Sequence, residues 1–168
     1  RAACADAAAG DVVEAVNLNA PGQVVIAGSQ AAVERAVAAC KAAGARRAMP
    51  LPVSVPSHCA LMKPAAEQLA LVLADMNMHA AEIPVINNVD VAVETDSSQI
   101  RDALVRQLFS PVRWVETVQR LTAEGVVHAC ECGPGKVLAG LVKRIDKDMS
   151  VAALDTAGAF NQALGEAG

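Results

Sequence analysis

Apolar positions along this chain follow two spacings, and the change from one to the other outlines its elements. Residues 1–9 are helix-prone and stop at Gly10-Asp11. Residues 12–17 then read as a strand. Asn17, Asn19, Pro21 and Gly22 form a turn cluster before a second β-rich run, 23–27, closed by Gly28, so the two strands are expected to form a hairpin. Ser29 is the expected cap of a helix that puts Ala32, Val33, Ala36, Val37 and Cys40 on one face and ends at Gly44. A third strand is expected over 46–51. Beyond His58 the order becomes helix 63–78, with Leu69, Val72, Leu73 and Met76 on its apolar face, then a short strand, 82–87. Ser97 or Ser98 is the expected cap of helix 100–108, and a further helix, 112–124, carries Trp114 and ends at Gly125. Strand 126–132, helix 136–147, strand 151–154 and a terminal helix complete the pattern. Alternation of this kind predicts an α/β fold with a partly parallel sheet, preceded by a small antiparallel sheet, the boundary falling near Val53.

The stretch 51–62 (LPVSVPSHCALM) stands apart. Pro52 and Pro56 each remove a backbone donor and disfavour helix in the residue before them, so a strand end turns here into a loop. Pro64 belongs in a helix's first turn, which places the next helix start near Lys63. His58 therefore sits where a strand, a polar corner and a helix meet, as catalytic side chains on strand-end loops often do. On local sequence alone, a lone histidine near a helix start is more often a cap or a surface residue.

Composition narrows the class. With 168 residues, 54% of them hydrophobic and only 2% aromatic, the core must be assembled mainly from Ala, Val, Leu and Ile. A net charge of −4 argues against a general nucleic-acid binder, and no apolar run reaches the roughly 18 residues of a membrane span. Five cysteines without framework spacing, and no secretory leader, fit free thiols in a reducing cytoplasm. The chain opens on Arg1 in what reads as a helix already under way, so a piece of a longer protein is expected.

Four stretches in order, 17–28 (NLNAPGQVVIAG), 53–62 (VSVPSHCALM), 102–108 (DALVRQL) with Pro111 and Trp114, and 133–138 (GPGKVL), together resemble the C-terminal half of the bacterial malonyl-CoA:acyl carrier protein transacylases, members of the acyltransferase family. The resemblance spans nearly the whole chain. It implies part of an α/β-hydrolase-like acyltransferase core, residues 54–168, preceded by the later part of a ferredoxin-like small subdomain, residues 1–53. It also implies transfer of malonyl from CoA to acyl carrier protein in fatty acid biosynthesis, by a ping-pong acyl-serine mechanism. His58 matches the family's acid/base, and Gln107 matches the glutamine whose main-chain carbonyl orients that imidazole. The nucleophile is a serine in a Gly-x-Ser-x-Gly elbow; no serine here has those flanks, so it is expected ahead of Arg1, with the arginine that pairs with the malonyl carboxylate. Asn19 and Gln23 match positions near the acyl pocket, although a hairpin turn explains both equally well. Ser57 adjoins the base at a position that varies with acyl size among related enzymes. The intact enzyme is expected to be a cytoplasmic monomer with malonyl-CoA and acyl carrier protein as partners, no nucleic-acid or membrane partner, and no metal or redox cofactor. The 168 residues alone are expected to be inactive. The other class of reading is a noncatalytic carrier-protein-binding or structural fragment.

Other constellations weigh less. Gly133-Pro-Gly-Lys136 lacks the Ser or Thr of a phosphate loop, since Val137 follows the lysine, and reads as a strand-to-helix turn. His128, Cys130 and Cys132 alternate on one strand face; ligands spaced along an extended line do not surround one ion, so buried small side chains are the better expectation. Cys59 beside His58 suggests a thiol nucleophile, but adjacent residues in a helical turn diverge by about 100°. Arg46, Arg47, Lys143 and Arg144 are basic pairs that could meet an acidic carrier protein, although solvated charge is the commoner role for any one of them.

Overall fold

The computed structural model describes residues 1–166, with side chains to 165, as a mixed helix and strand chain in two compact units. The first comprises Arg1–Leu18 and Val24–Arg113, the second Asn19–Gln23 and Trp114–Gly168.

The first unit opens with α1 (Ala2–Ala8), most of the paired strands β1 (Val13–Ala20) and β2 (Gln23–Gly28), whose connecting end 19–23 is counted with the second unit, and α2 (Gln30–Ala42). Cys4 and Ala7 of α1 pack with Val13 and with Ala32 and Ala36 of α2, an interface of small side chains that lets the helices approach closely. Arg35 of α2 donates to the Ala7 and Ala8 carbonyls, both at 2.8 Å, satisfying acceptors that the end of α1 leaves open. Gly44 ends α2 with φ +87°, its N–H bonding the Lys41 carbonyl while Ala45 N–H bonds that of Cys40, the paired bonds of a Schellman motif. Ser29 does occupy the N-cap position of α2, but its hydroxyl makes no capping bond and is buried without a partner. The turn is shorter than expected, only Pro21-Gly22, with Asn17 and Asn19 inside β1.

The strand expected over 46–51 is absent: those residues are irregular and mostly exposed, since Pro50 and Pro52 cannot donate to a ladder. A 3-10 turn (Ala60–Met62) leads into α3 (Lys63–Ala74), with Pro64 in its first turn. The buried side of α3 is Ala66 and Leu73, flanked by half-buried Leu69 and Ala70; Val72, expected on that face, is 60% exposed, as is much of Met76 beyond the helix. The expected strand 82–87 contracts to β3 (Ile86–Asn87), antiparallel to β4 (Ala92–Val93). Asp96, not Ser97 or Ser98, caps α4 (Ser97–Gln107), its carboxylate accepting from Ser98 N–H at 2.8 Å.

In the second unit, α5 (Trp114–Ala123) is followed by β5 (His128–Glu131), α6 (Val137–Ile145), β6 (Ser150–Ala153) and α7 (Ala157–Glu166). β5 and β6 are parallel with His128 opposite Ser150, and α6 makes the crossover a parallel pair requires. Val118, Val142 and Met149 form its core. His128, Cys130 and Cys132 are exposed, contrary to expectation, because it is Ala129 and Glu131 of β5 that turn inward.

Gly28 lies so close to β1 that a Cβ built on it would stand 2.0 Å from the Val12 carbonyl oxygen and 2.6 Å from the Val13 Cα. Both are backbone atoms that cannot rotate away. Gly28→Ala is therefore expected to destabilise the fold by about 2 kcal/mol; urea unfolding checks this, and an unchanged midpoint would contradict it.

Candidate active site

His58 and Gln107 are far apart in sequence, and two helices bring them together. α3 and α4 pack against each other, and Arg101 of α4 donates to the Leu73 carbonyl at 2.9 Å and to the Met76 carbonyl at 2.8 Å at the end of α3. With the middle of α4 tied to the end of α3, the last turn of α4 reaches back to the residues leading into α3, where His58 lies. There the His58 N–H donates to the Leu108 carbonyl at 2.9 Å, and the ring Nδ1 lies 2.8 Å from the Gln107 carbonyl oxygen. A carbonyl only accepts, so Nδ1 carries the proton and Nε2 of the neutral ring is left as the acceptor. Both carbonyls are at a helix C-terminus, the partially negative end that favours a nearby cation.

His58 adopts φ +67°, a left-handed conformation unusual for a residue other than glycine. That conformation costs about 1–2 kcal/mol, and two hydrogen bonds at about 1 kcal/mol each offset it. His58 as a whole is half-buried. Cys59, next in sequence, is 0% exposed and donates its thiol to the Pro56 carbonyl at 3.2 Å. Burial pushes its pKa up, which suppresses the thiolate a nucleophile needs.

A second cluster supports the same helix end. Arg106, immediately before Gln107, places its guanidinium on the Asp90 carboxylate with bonds of 2.8 and 2.6 Å, while its Nε donates to Asp102 at 2.6 Å. The guanidinium beside Asp90 holds that carboxyl below the usual range, and the two carboxylates raise the Arg106 pKa. The sequence marks this pair only indirectly. The turn-rich Asn87-Asn88-Val89-Asp90 and the helical spacing of Asp102 and Arg106 were the available signals.

The remaining candidates are divided between the two units. Ser57 is half-buried beside His58 in the first unit. Asn19 and Gln23 belong to the second unit, where Arg144 of α6 donates to the Gln23 side-chain oxygen and to the Pro21 carbonyl. Lys143 and Arg144 are exposed on α6, and Arg46 and Arg47 are exposed in the irregular segment of the first unit. Among the described residues no group of three or more His, Cys, Asp or Glu side chains could hold a metal ion, and no helix is long and apolar enough to cross a membrane. A recess of about 140 Å³ among Trp114, Val118, Leu138 and Val142 belongs to the core of the second unit and does not include His58.

Residues 2–161 match the family model described as an acyl transferase domain. The malonyl CoA-acyl carrier protein transacylase of Salmonella typhimurium is 60% identical over 162 residues, covering 96% of this chain and 52% of that protein. Among solved structures, the acyl-carrier-protein S-malonyltransferase of Burkholderia pseudomallei superposes with TM-score 0.95 at 55% identity, covering 98% of this chain and 54% of that one. A malonyl-transacylase solved in complex with its type II PKS acyl-carrier protein gives TM-score 0.97 at 56% identity, covering 98% and 53%. The chain thus spans about half the length of the relatives it matches. Those shares give the extent of the match and not its end, so the expected C-terminal placement gains nothing from them.

The Asp90–Arg106 pair carries a pH signature. A depressed carboxyl pKa contributes stability that is fully present above the unfolded-state value, about 3.9, and is lost as pH falls through the lower folded value. Both side chains are 34% exposed, so solvent screening limits the pair to about 1 kcal/mol. Urea midpoints of the parent and Asp90→Asn proteins should differ at neutral pH and converge as pH drops below about 4; a gap that widens in acid would contradict this.

Proposed function

The chain belongs to the acyl transferase domain family, and on that premise we propose that it supplies the base of a malonyl-CoA:acyl carrier protein transacylase whose nucleophilic serine lies outside these 168 residues. The observation that carries the reading is the 2.8 Å contact between His58 Nδ1 and the Gln107 carbonyl. With Nδ1 so engaged, Nε2 takes the proton of the serine hydroxyl as its oxygen attacks the malonyl-CoA thioester carbonyl. The tetrahedral adduct collapses, CoA leaves as its thiolate, and the imidazolium returns the proton to that sulfur. In the second half-reaction Nε2 deprotonates the carrier's thiol, whose sulfur attacks the acyl-serine ester; the serine oxygen leaves and recovers the proton. A neutral carbonyl stabilises imidazolium less than a carboxylate would, and the C-terminus of α4 supplies part of the difference. The acyl group only moves between thioesters and an oxygen ester, so no electron changes hands.

The finer architecture follows the same reading. The β1–β2 hairpin covered by α1 and α2 supports assignment of residues 1–53 to the later part of a ferredoxin-like subdomain. The parallel β5–α6–β6 unit supports assignment of residues 54–168 to an α/β-hydrolase-like core. Ser57, Asn19 and Gln23 would contact the acyl substrate. Arg144 turns the Gln23 oxygen toward itself, which leaves the amide nitrogen as the donor. Exposed Arg46, Arg47, Lys143 and Arg144 would meet an acidic carrier protein, with Arg144 sharing its charge with the hairpin turn. The cytoplasm is the compartment that fits these substrates.

Incubation with malonyl-CoA followed by mass spectrometry separates this reading from a noncatalytic fragment. The 168 residues alone should take up no malonyl group. In the intact protein an acyl-serine should form, and His58→Ala should slow its formation about 10³-fold; unchanged kinetics would remove His58 from the mechanism. Gln107→Ala should alter the rate less than about threefold, because the acceptor is main chain and the side chain bonds only the Ser110 carbonyl, at 3.2 Å. A large loss would show that the side chain is used.

A further inference from the structure

Asp90 lies in the turn 88–91 between β3 and β4, and the surrounding bonds fix that turn from several directions. Asn87 accepts from Asp90 N–H at 2.8 Å through its side-chain oxygen and donates to the Ala92 carbonyl at 2.9 Å. The main chain of Arg113 donates to the Asn88 carbonyl at 3.2 Å, and its guanidinium to the Val89 carbonyl at 3.3 Å. Val91 is forced to φ +58°, a region hostile to a β-branched side chain, and persists there because its N–H bonds the Asn87 carbonyl at 3.0 Å and its neighbours are held. A turn fixed this firmly is a rigid anchor. It presents one carboxylate, and that carboxylate receives both terminal nitrogens of Arg106, the residue before Gln107. Arg113, at the far end of the loop leaving α4, is fastened to the same turn. The turn therefore braces the end of α4 on both sides of the Gln107 and Leu108 carbonyls.

We propose that Asp90 is a positioning residue for His58: through its two-point bond to Arg106 it fixes the last turn of α4, and so the two carbonyls that orient the histidine. The proposal rests on the reading of His58 as the base. Asp102 provides the internal contrast. It bonds the same guanidinium through Nε but belongs to α4 itself, so it ties the helix to nothing outside. Losing Asp102 removes a charge partner of Arg106; losing Asp90 removes the anchor.

The test uses the intact protein, with single-turnover formation of the acyl-serine measured against malonyl-CoA concentration and thermal melting measured on every variant. Asp90→Asn is expected to lower the saturating acylation rate about tenfold while moving the half-saturating concentration less than twofold. Arg106→Lys, which keeps the charge but loses the two-point geometry, should behave alike. Asp102→Asn should keep the parent rate within about twofold, whatever its effect on melting temperature. In the His58→Ala background, Asp90→Asn should cause no further loss, because the ring it positions is gone. An unchanged rate in Asp90→Asn, a loss that merely follows melting temperature across all three variants, or a full additional tenfold loss on top of His58→Ala would overturn the proposal. If His58→Ala itself retained the parent rate, the reading of the base would fail instead. Should Asp90→Asn not fold, Arg106→Lys decides by the same comparisons.

Discussion

Two consecutive carbonyls at the end of α4 hold one histidine at two points, its main-chain N–H on Leu108 and its ring on Gln107. A helix end always leaves such acceptors open, so the fold gains an orienting group without burying a charge. An aspartate in the same place would stabilise imidazolium more strongly but would carry a desolvation cost that a peptide carbonyl avoids. The arrangement also explains the conformation of His58. Its left-handed backbone lets N–H and ring reach neighbouring carbonyls together, and those two bonds are what retain it.

That geometry is only as good as the placement of α4. Arg101 fastens the helix to the end of α3, and Arg106 fastens its last turn to Asp90. Lys63, at the start of α3, adds a weaker contact over the Phe109 ring, 6.0 Å from its centroid. Three basic side chains thus act in three ways: one satisfies the carbonyls of a neighbouring helix end, one grips a carboxylate in a rigid turn, and one rests on an aromatic face. Arginine serves in the first two because its planar fork makes two directed bonds at once.

Much of this was legible in the sequence where chemistry is local. The helices announced themselves by period and by their glycine stops, and Gly44 ends α2 by the geometry that its lack of a Cβ permits. Motif order drew His58 and Gln107 together, and the contact between them is present. What failed did so for nonlocal reasons. The run 46–51 has strand composition, but a strand needs a partner with matching donors, and prolines at 50 and 52 remove them. Val72 looked like a core residue because period alone does not say which way a helix faces; α3 turns Ala66 and Leu73 inward and leaves Val72 outside. Ser97 and Ser98 offered themselves as caps, and Asp96 prevailed because an ionised carboxylate accepts more strongly from the open N–H groups of α4. The bracing by Asp90 was out of reach, since nothing local in Asn87-Asn88-Val89-Asp90 shows that it meets a helix end many residues later.

The chemistry of this site turns on which nitrogen of His58 carries the proton, and nitrogen-15 NMR of the histidine ring in the resting intact protein reports this directly. The 2.8 Å contact with the Gln107 carbonyl predicts a protonated Nδ1 and a bare Nε2. A ring resting with its proton on Nε2 would mean that the Gln107 carbonyl does not orient it, and would contradict the role assigned to this site.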